Sequence, residues 1–164
     1  MTTPTTTSTT RRQRFDHAAA DLGHSFEGEI RIGGDYRPVI VHGGQAHVSG
    51  QIPRVGDQVM VTGRAGADAS LAQAQHAARI CAMRALRLLE QSLGSLDAVQ
   101  QVLQVTVYVQ AAEDFTLLSE VADAASGLLQ TVLGPAGVHA RTSVGVYRLP
   151  KNATVEVSLV AATA

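Results

Sequence analysis

Residues 140–161, ARTSVGVYRLPKNATVEVSLVA, constrain the fold more than any other part of the chain. Thr142, Val144 and Val146 take one parity, and Arg141, Ser143, Gly145 and Tyr147 take the other. Beyond Leu149, Pro150, Lys151 and Asn152, the apolar Val155, Val157, Leu159 and Ala161 alternate with Thr154, Glu156, Ser158 and Val160. Period-two alternation in β-branched sequence, broken by Pro and Asn, predicts two half-buried strands joined as a hairpin. A turn centred between Pro150 and Lys151 would set Ser143 opposite Ser158 and Arg141 opposite Val160. One face would then gather a guanidinium, two hydroxyls and Glu156. A slip of one residue would scatter that cluster.

Upstream, residues 70–93 have the spacing of a long helix. Ser70 and Gln73 make a capping box and Gly94 a stop. Leu71, Ala74, Ala78, Cys81, Ala82, Ala85 and Leu89 recur on one stripe. Cys81 within that stripe reads as a buried, inert thiol. A second helix is expected over 114–133, capped by Asp114 and ended by Gly134 and Pro135. Between the helices, Val105, Val107 and Val109 share a parity and predict a strand. Before them, 36–41 and 45–49 read as strands around a His42-Gly43-Gly44 turn, 59–62 as a third, and 26–32 as a weak further one. Two amphipathic helices need one sheet face to cover, so the expected fold class is α+β: a two-layer sandwich with a mixed sheet of about six strands. The uncovered face, partly apolar, points to an oligomer.

The chain divides into a disordered Thr-rich tail (1–12), a helix and short strand (13–35) and a main domain (36–164). The basic run Arg11, Arg12 and Arg14 reads as a solvated helix entry. Length and composition suit one globular domain: 164 residues, 45% hydrophobic and 16% charged. Aromatics are only 4%, so the core must come from aliphatic residues. A net charge of −1 gives no electrostatic case for nucleic acid as a partner. One cysteine excludes an internal disulfide. No apolar run is long enough to span a bilayer, and the N-terminus lacks a signal-peptide core, so cytoplasm is the expected location. The six histidines show no HxH or HExxH spacing, so no metal is expected. Arg141 is the residue to explain: its planar fork suits a carboxylate, and an interface salt bridge is the alternative role.

The string ARTSVGVYRLPKNATVEV resembles the C-terminal signature of the RidA/YjgF family, in which ARS-x-V-x-V-x-x-LP-K precedes a VE-x-E strand. VSGQIP at residues 48–53 is similar to a second family string, and the Tyr36-to-Ser49 spacing fits without a gap. The similarity runs from about residue 36 to 161 and is greatest to the subgroup with an extra N-terminal segment.

The resemblance implies a chorismate-mutase-like fold, a homotrimer whose sheets form a central barrel, and ligand sites in clefts between subunits. It implies hydrolysis of 2-imino acids or their enamine tautomers to 2-oxo acids and ammonia, without metal or organic cofactor. Arg141 matches the arginine that grips the substrate carboxylate, and Ser143 the position whose backbone meets the reacting centre. Tyr36 and Ser49 match cleft-lining residues, and Ser119 and Asp123 both fall near the place of a family asparagine. Glu156 is the first acidic position of VE-x-E, but Ser158 stands where deaminases usually carry a second glutamate. A serine is a very poor base near neutral pH. The other expected reading is therefore a non-catalytic trimer that binds a small carboxylate; ribonuclease or translation-inhibitor activity ranks last.

Overall fold

The computed structural model describes residues 8–164, so most of the Thr-rich tail lies outside the described residues. In chain order the elements are α1 (Arg11–Leu22), β1 (Val39–His42), β2 (Gln45–Gln51), β3 (Arg54–Val55), β4 (Gln58–Val59), α2 (Leu71–Leu93), β5 (Val99–Gln110), α3 (Leu118–Leu133), β6 (Ala140–Val146) and β7 (Val155–Thr163). Five strands form one mixed sheet in the order β1-β2-β7-β5-β6, and β3-β4 stand apart as a minimal hairpin. The fold is α+β, with α2 and α3 against one sheet face. Among the described residues no helix is long and apolar enough to cross a membrane.

The C-terminal strands exist, but the expected hairpin does not. β6 pairs parallel with β5, whereas β7 pairs antiparallel with both β5 and β2. β5 therefore lies between them. Its Val102, Val105, Val107 and Val109 are buried, and lying next to the edge strand β6 it pairs with a neighbour on each side. The chain leaves β5, crosses over the sheet through α3 and returns parallel as β6. Residues 147–154 are long enough to pass the end of β5. Fully buried Gln110 holds them there: its carbonyl oxygen accepts from Leu149 N at 2.9 Å and its amide donates to Asn152 Oδ1 at 2.8 Å.

The sheet has five strands where about six were expected. Residues 26–32 form none, because the Gln91 amide takes the backbone N–H and C=O of Ile30 at 2.9 and 3.2 Å. Of 59–62, only Val59 belongs to a strand, and Thr62 makes an isolated bridge to Ala153. The first strand begins at Val39, leaving Tyr36 in a loop. The turn at Gly43 and Gly44 is as expected, with φ of 58° and 74° at the two positions.

Helix α2 carries the expected capping box at Ser70 and Gln73 and ends on Gly94 in the left-handed region. Its buried surface is wider than one stripe, taking in Ala77, Ile80, Met83, Leu86 and Leu88, because α1 and α3 pack against it as well as the sheet. Helix α3 starts at Leu118 rather than Asp114, with no side-chain cap. Residues 112–115 are instead tied into a turn by Ala112 N donating to Ala65 O and Phe115 N to Ala112 O. Cys81 is buried, as its stripe position predicted, and burial pushes its thiol pKa well up.

The N-terminal basic run is not a solvated entry. The helix already includes Arg11 and Arg12, which were assigned to the tail, and Thr10 caps it. Arg11 donates to the carbonyls of Leu96 and Val99 at 2.8 and 2.7 Å, and Arg14 to Val132 O in the last turn of α3 at 2.9 Å. Arg12 bonds Glu90 at 2.7 Å. Cations on the free carbonyls of a helix end satisfy groups that nothing else reaches. Phe15 and Phe26, the two fully packed aromatics, meet edge to face with centroids 6.4 Å apart. Burying a side chain of that size contributes about 1.5–3 kcal/mol. The N-terminal segment is thus part of the core.

Candidate functional site

The site residues expected to share one face lie in two places. Residues directly opposite in a sheet project to the same side. Arg141 is level with Val105 and Ser143 with Val107, both buried beneath the helices. Glu156 is level with Tyr108 and Ser158 with Thr106, on the other side of the sheet. β5 also separates the strands, a gap of roughly 10 Å at ordinary strand spacing. Ser143 is therefore opposite Val107, not Ser158, and Arg141 is opposite Val105, not Val160. The missed signal was the length of the segment between the strands, which permits a crossover.

Around Arg141 a chain of hydrogen bonds runs from the edge strand into the protein. Arg141 Nη1 donates to Asp123 Oδ1 at 2.8 Å and to the buried Ser126 Oγ at 3.1 Å. His139 lies 2.8 Å from Ser126 Oγ through Nε2 and 2.6 Å from Gly137 O through Nδ1. A carbonyl can only accept, so Nδ1 carries the hydrogen, Nε2 accepts from the Ser126 hydroxyl, and the serine oxygen is free to accept from Arg141. His139 is half-buried and orients this network. Asp123 is exposed, with 69% of its side chain open to solvent, against 23% for Arg141. Of the two α3 candidates, Asp123 meets Arg141; Ser119 is exposed one turn earlier.

At the far side of β7, Tyr36 and Glu156 line one pocket of about 430 Å³. Gly50 forms part of its wall, and a Cβ there would overlap the Glu156 carboxylate. Ser49 is adjacent, its hydroxyl donating to Pro38 O at 3.2 Å. The pocket exists because β2 loses register with β7 between Val48 and Gln51. Lys151 reaches its rim from a left-handed backbone position, φ 58°. Sequence reading missed Arg54 and Arg84, which also line it. The trace they left was an arginine interrupting the apolar run of α2, and an arginine directly after the VSGQIP string.

Burial raises the pKa of Glu156 above the ordinary carboxylate value. A carboxyl whose native pKa is raised favours folding fully below its unfolded value, about 4.3, and that contribution is lost as pH rises through the native value. Glu156→Gln, which cannot ionise, should therefore gain stability relative to the native protein as pH increases above about 4. Thermal unfolding of both proteins between about pH 4 and 8 measures this, and a constant difference would refute it.

Among the described residues no group of three or more His, Cys, Asp or Glu is placed to hold a metal ion.

The family profile described as "YjgF/chorismate mutase-like, putative endoribonuclease" matches residues 19–163, so the match begins inside α1 rather than at residue 36. Protein TCP17 of Trypanosoma cruzi is 40% identical over 124 residues, 75% of this chain and 78% of that protein. Atu1372 of Agrobacterium tumefaciens, a solved structure of unknown function, superposes with a TM-score of 0.84 at 32% identity, covering 93% of this chain and 94% of its own. A protein of Shewanella oneidensis described as a "putative endoribonuclease" superposes at 0.85 with 25% identity, covering 94% and 99%. A profile match over most of the chain, on a sheet and helix arrangement shared with these structures, makes this protein a member of the YjgF/RidA family.

Proposed function

We propose that the protein is a homotrimeric hydrolase that converts 2-imino acids, or their enamine tautomers, to 2-oxo acids and ammonia. The observation that carries this reading is Arg141, held on an edge strand by Ser126, which His139 orients, and with the exposed Asp123 as its only ionic partner among the described residues. A guanidinium so placed can exchange a solvated carboxylate for that of a ligand.

One protomer does not bring Arg141 and Ser143 to Tyr36, Ser49 and Glu156. The two groups lie toward opposite ends of the sheet, and both ends expose apolar side chains: Tyr36, Ile40 and Val41 at one, Val138, Val144 and Tyr147 at the other. Unlike surfaces at opposite ends favour head-to-tail association, which closes into a ring and covers both strand edges. The trimer that the family resemblance implies would set Arg141 of one copy facing the Tyr36 pocket of the next.

In that cleft the chemistry asks for little. Water adds to the electrophilic C=N carbon, a proton moves to nitrogen, and the carbinolamine releases ammonia to leave the C=O. Orienting imine and water supplies much of the acceleration. Backbone groups at Ser143 orient the reacting centre. Ser158 can hydrogen-bond the water, and Glu156, its pKa raised by burial, is the group suited to proton transfer.

A second reading, a carboxylate-binding trimer without catalysis, is favoured by one observation. Ser158 is level with Thr106, which is level with Thr142, so no acid stands in that row. The test is ammonia and 2-oxo acid release from imino acids generated in place by an amino-acid oxidase, using native protein and Ser158→Glu. Acceleration by the native protein is the expected result. An inert native protein, with activity appearing only in the variant, would establish the binding reading. Cleavage of RNA in place of either would overturn both.

A further inference from the structure

The pocket that holds Tyr36 and Glu156 has an unusual charge. Arg31, Arg54, Arg84 and Lys151 line it against the single acid Glu156, and with Arg31 paired to Glu29 at 3.0 Å three cations still face one anion, in a chain whose net charge is −1. A smaller hollow of about 290 Å³ shares Arg31, Arg54 and Arg84 with it, and there Glu27, Glu29 and Asp57 line the wall as well. Among the described residues neither Arg54 nor Arg84 has a carboxylate within 4.0 Å, every ion pair there involving other arginines. Arg84 Nε donates to Gln51 Oε1 at 3.2 Å and Nη1 to Arg54 O at 3.1 Å, which fixes the guanidinium while cancelling none of its charge. Arg54 Nε is buried and has no hydrogen-bond partner. Burial, and then the neighbouring Arg54, disfavour the charged form of Arg84.

Two adjacent, partly desolvated guanidiniums with unused donors are costly to hold without an anion. We propose that Arg54 and Arg84 form a second anion subsite, and that the ligand is a dicarboxylate: one carboxylate on Arg141, the other on this pair. The proposal rests on the cleft assignment above and narrows its substrate class to imino acids with an acidic side chain. The volume suits a chain of about five carbons, since ligand pockets begin near 300 Å³. An apolar side chain in the same place would leave both guanidiniums unpaired, which is how a polar site rejects an apolar analogue.

Calorimetric titration of the full chain with 2-oxoglutarate and with 2-oxopentanoate, equal in length and lacking the second carboxylate, tests this directly. The dicarboxylate should bind at least about tenfold more tightly, and Arg54→Gln and Arg84→Gln should each erase most of that preference. The native comparison alone suffices if a variant does not fold. Equal affinities, a preference that survives both substitutions, or no binding of 2-oxoglutarate would overturn the subsite. Its fate is separable from that of the deaminase: selective binding dependent on Arg54 and Arg84 without turnover of any imino acid keeps the subsite and removes the activity. Turnover with no preference between the two ligands does the reverse.

Discussion

Arg141→Ala should lower kcat/KM for imino acids by at least about 100-fold while the protein still unfolds cooperatively. A hydrogen-bonded charge pair contributes about 1.5–3 kcal/mol, or roughly 10–150-fold, and a substrate misplaced by an ångström can lose a further 100-fold. The structural cost is small. The pair with Asp123 is largely solvated, and such pairs contribute about 0.2–1 kcal/mol. Ser126 keeps His139 as its hydrogen-bond partner. For a chain of this size the melting temperature should fall by no more than about 4 °C. Arg141→Lys separates charge from shape, because lysine keeps the charge and loses the fork. Wild-type turnover in the alanine variant would remove Arg141 from substrate binding altogether. Loss of activity together with loss of the folded state would assign it to structure.

Gly137→Ala should be among the most damaging small substitutions in the chain. An added Cβ would strike the carbonyl of Leu129 and the Cα of Gln130, both backbone of α3. A side chain could swing aside; a helix packed against α2 cannot. Overpacking of this kind costs about 1–3 kcal/mol, which predicts a melting temperature lower by about 2–12 °C. The damage should also reach the site. Gly137 O receives the Nδ1–H of His139, whose other nitrogen holds Ser126 beside Arg141. Thermal unfolding and imino-acid turnover measured on the same preparation check both effects. A variant with unchanged stability would mean that the turn before β6 yields more easily than its backbone contacts imply.

The elements legible in the sequence are those whose causes are local. The Ser70 and Gln73 capping box, the stop at Gly94 and the glycines of the first hairpin each act within a few residues, and each is found where its chemistry placed it. Alternation likewise marked β5, β6 and β7 as strands, because facing the core at every second residue is a property of one strand by itself. Local signals failed where a distant group intervened. Ile30 lost its strand to the Gln91 amide, and the expected first turn of α3 was lost to a turn tied to the Ala65 backbone.

Arg141 and Glu156 could be singled out from sequence, but not the relation between them. Alternation says which residues share a face of one strand and nothing about which strand lies alongside. β5 lies between β6 and β7, and its register with each sets these two candidate residues on opposite sides of the sheet. The meeting of Arg54 with Arg84 was equally out of reach. It depends on a helix and a hairpin that no local rule connects, and on the register break in β2 that opens the pocket between them. The sequence by itself determined the capping and length of α2, the strands β1, β2, β5, β6 and β7 and the chemistry of their side chains. Tertiary structure alone decided the neighbours, because strand pairing and register belong to the sheet as a whole and not to the alternation within one strand.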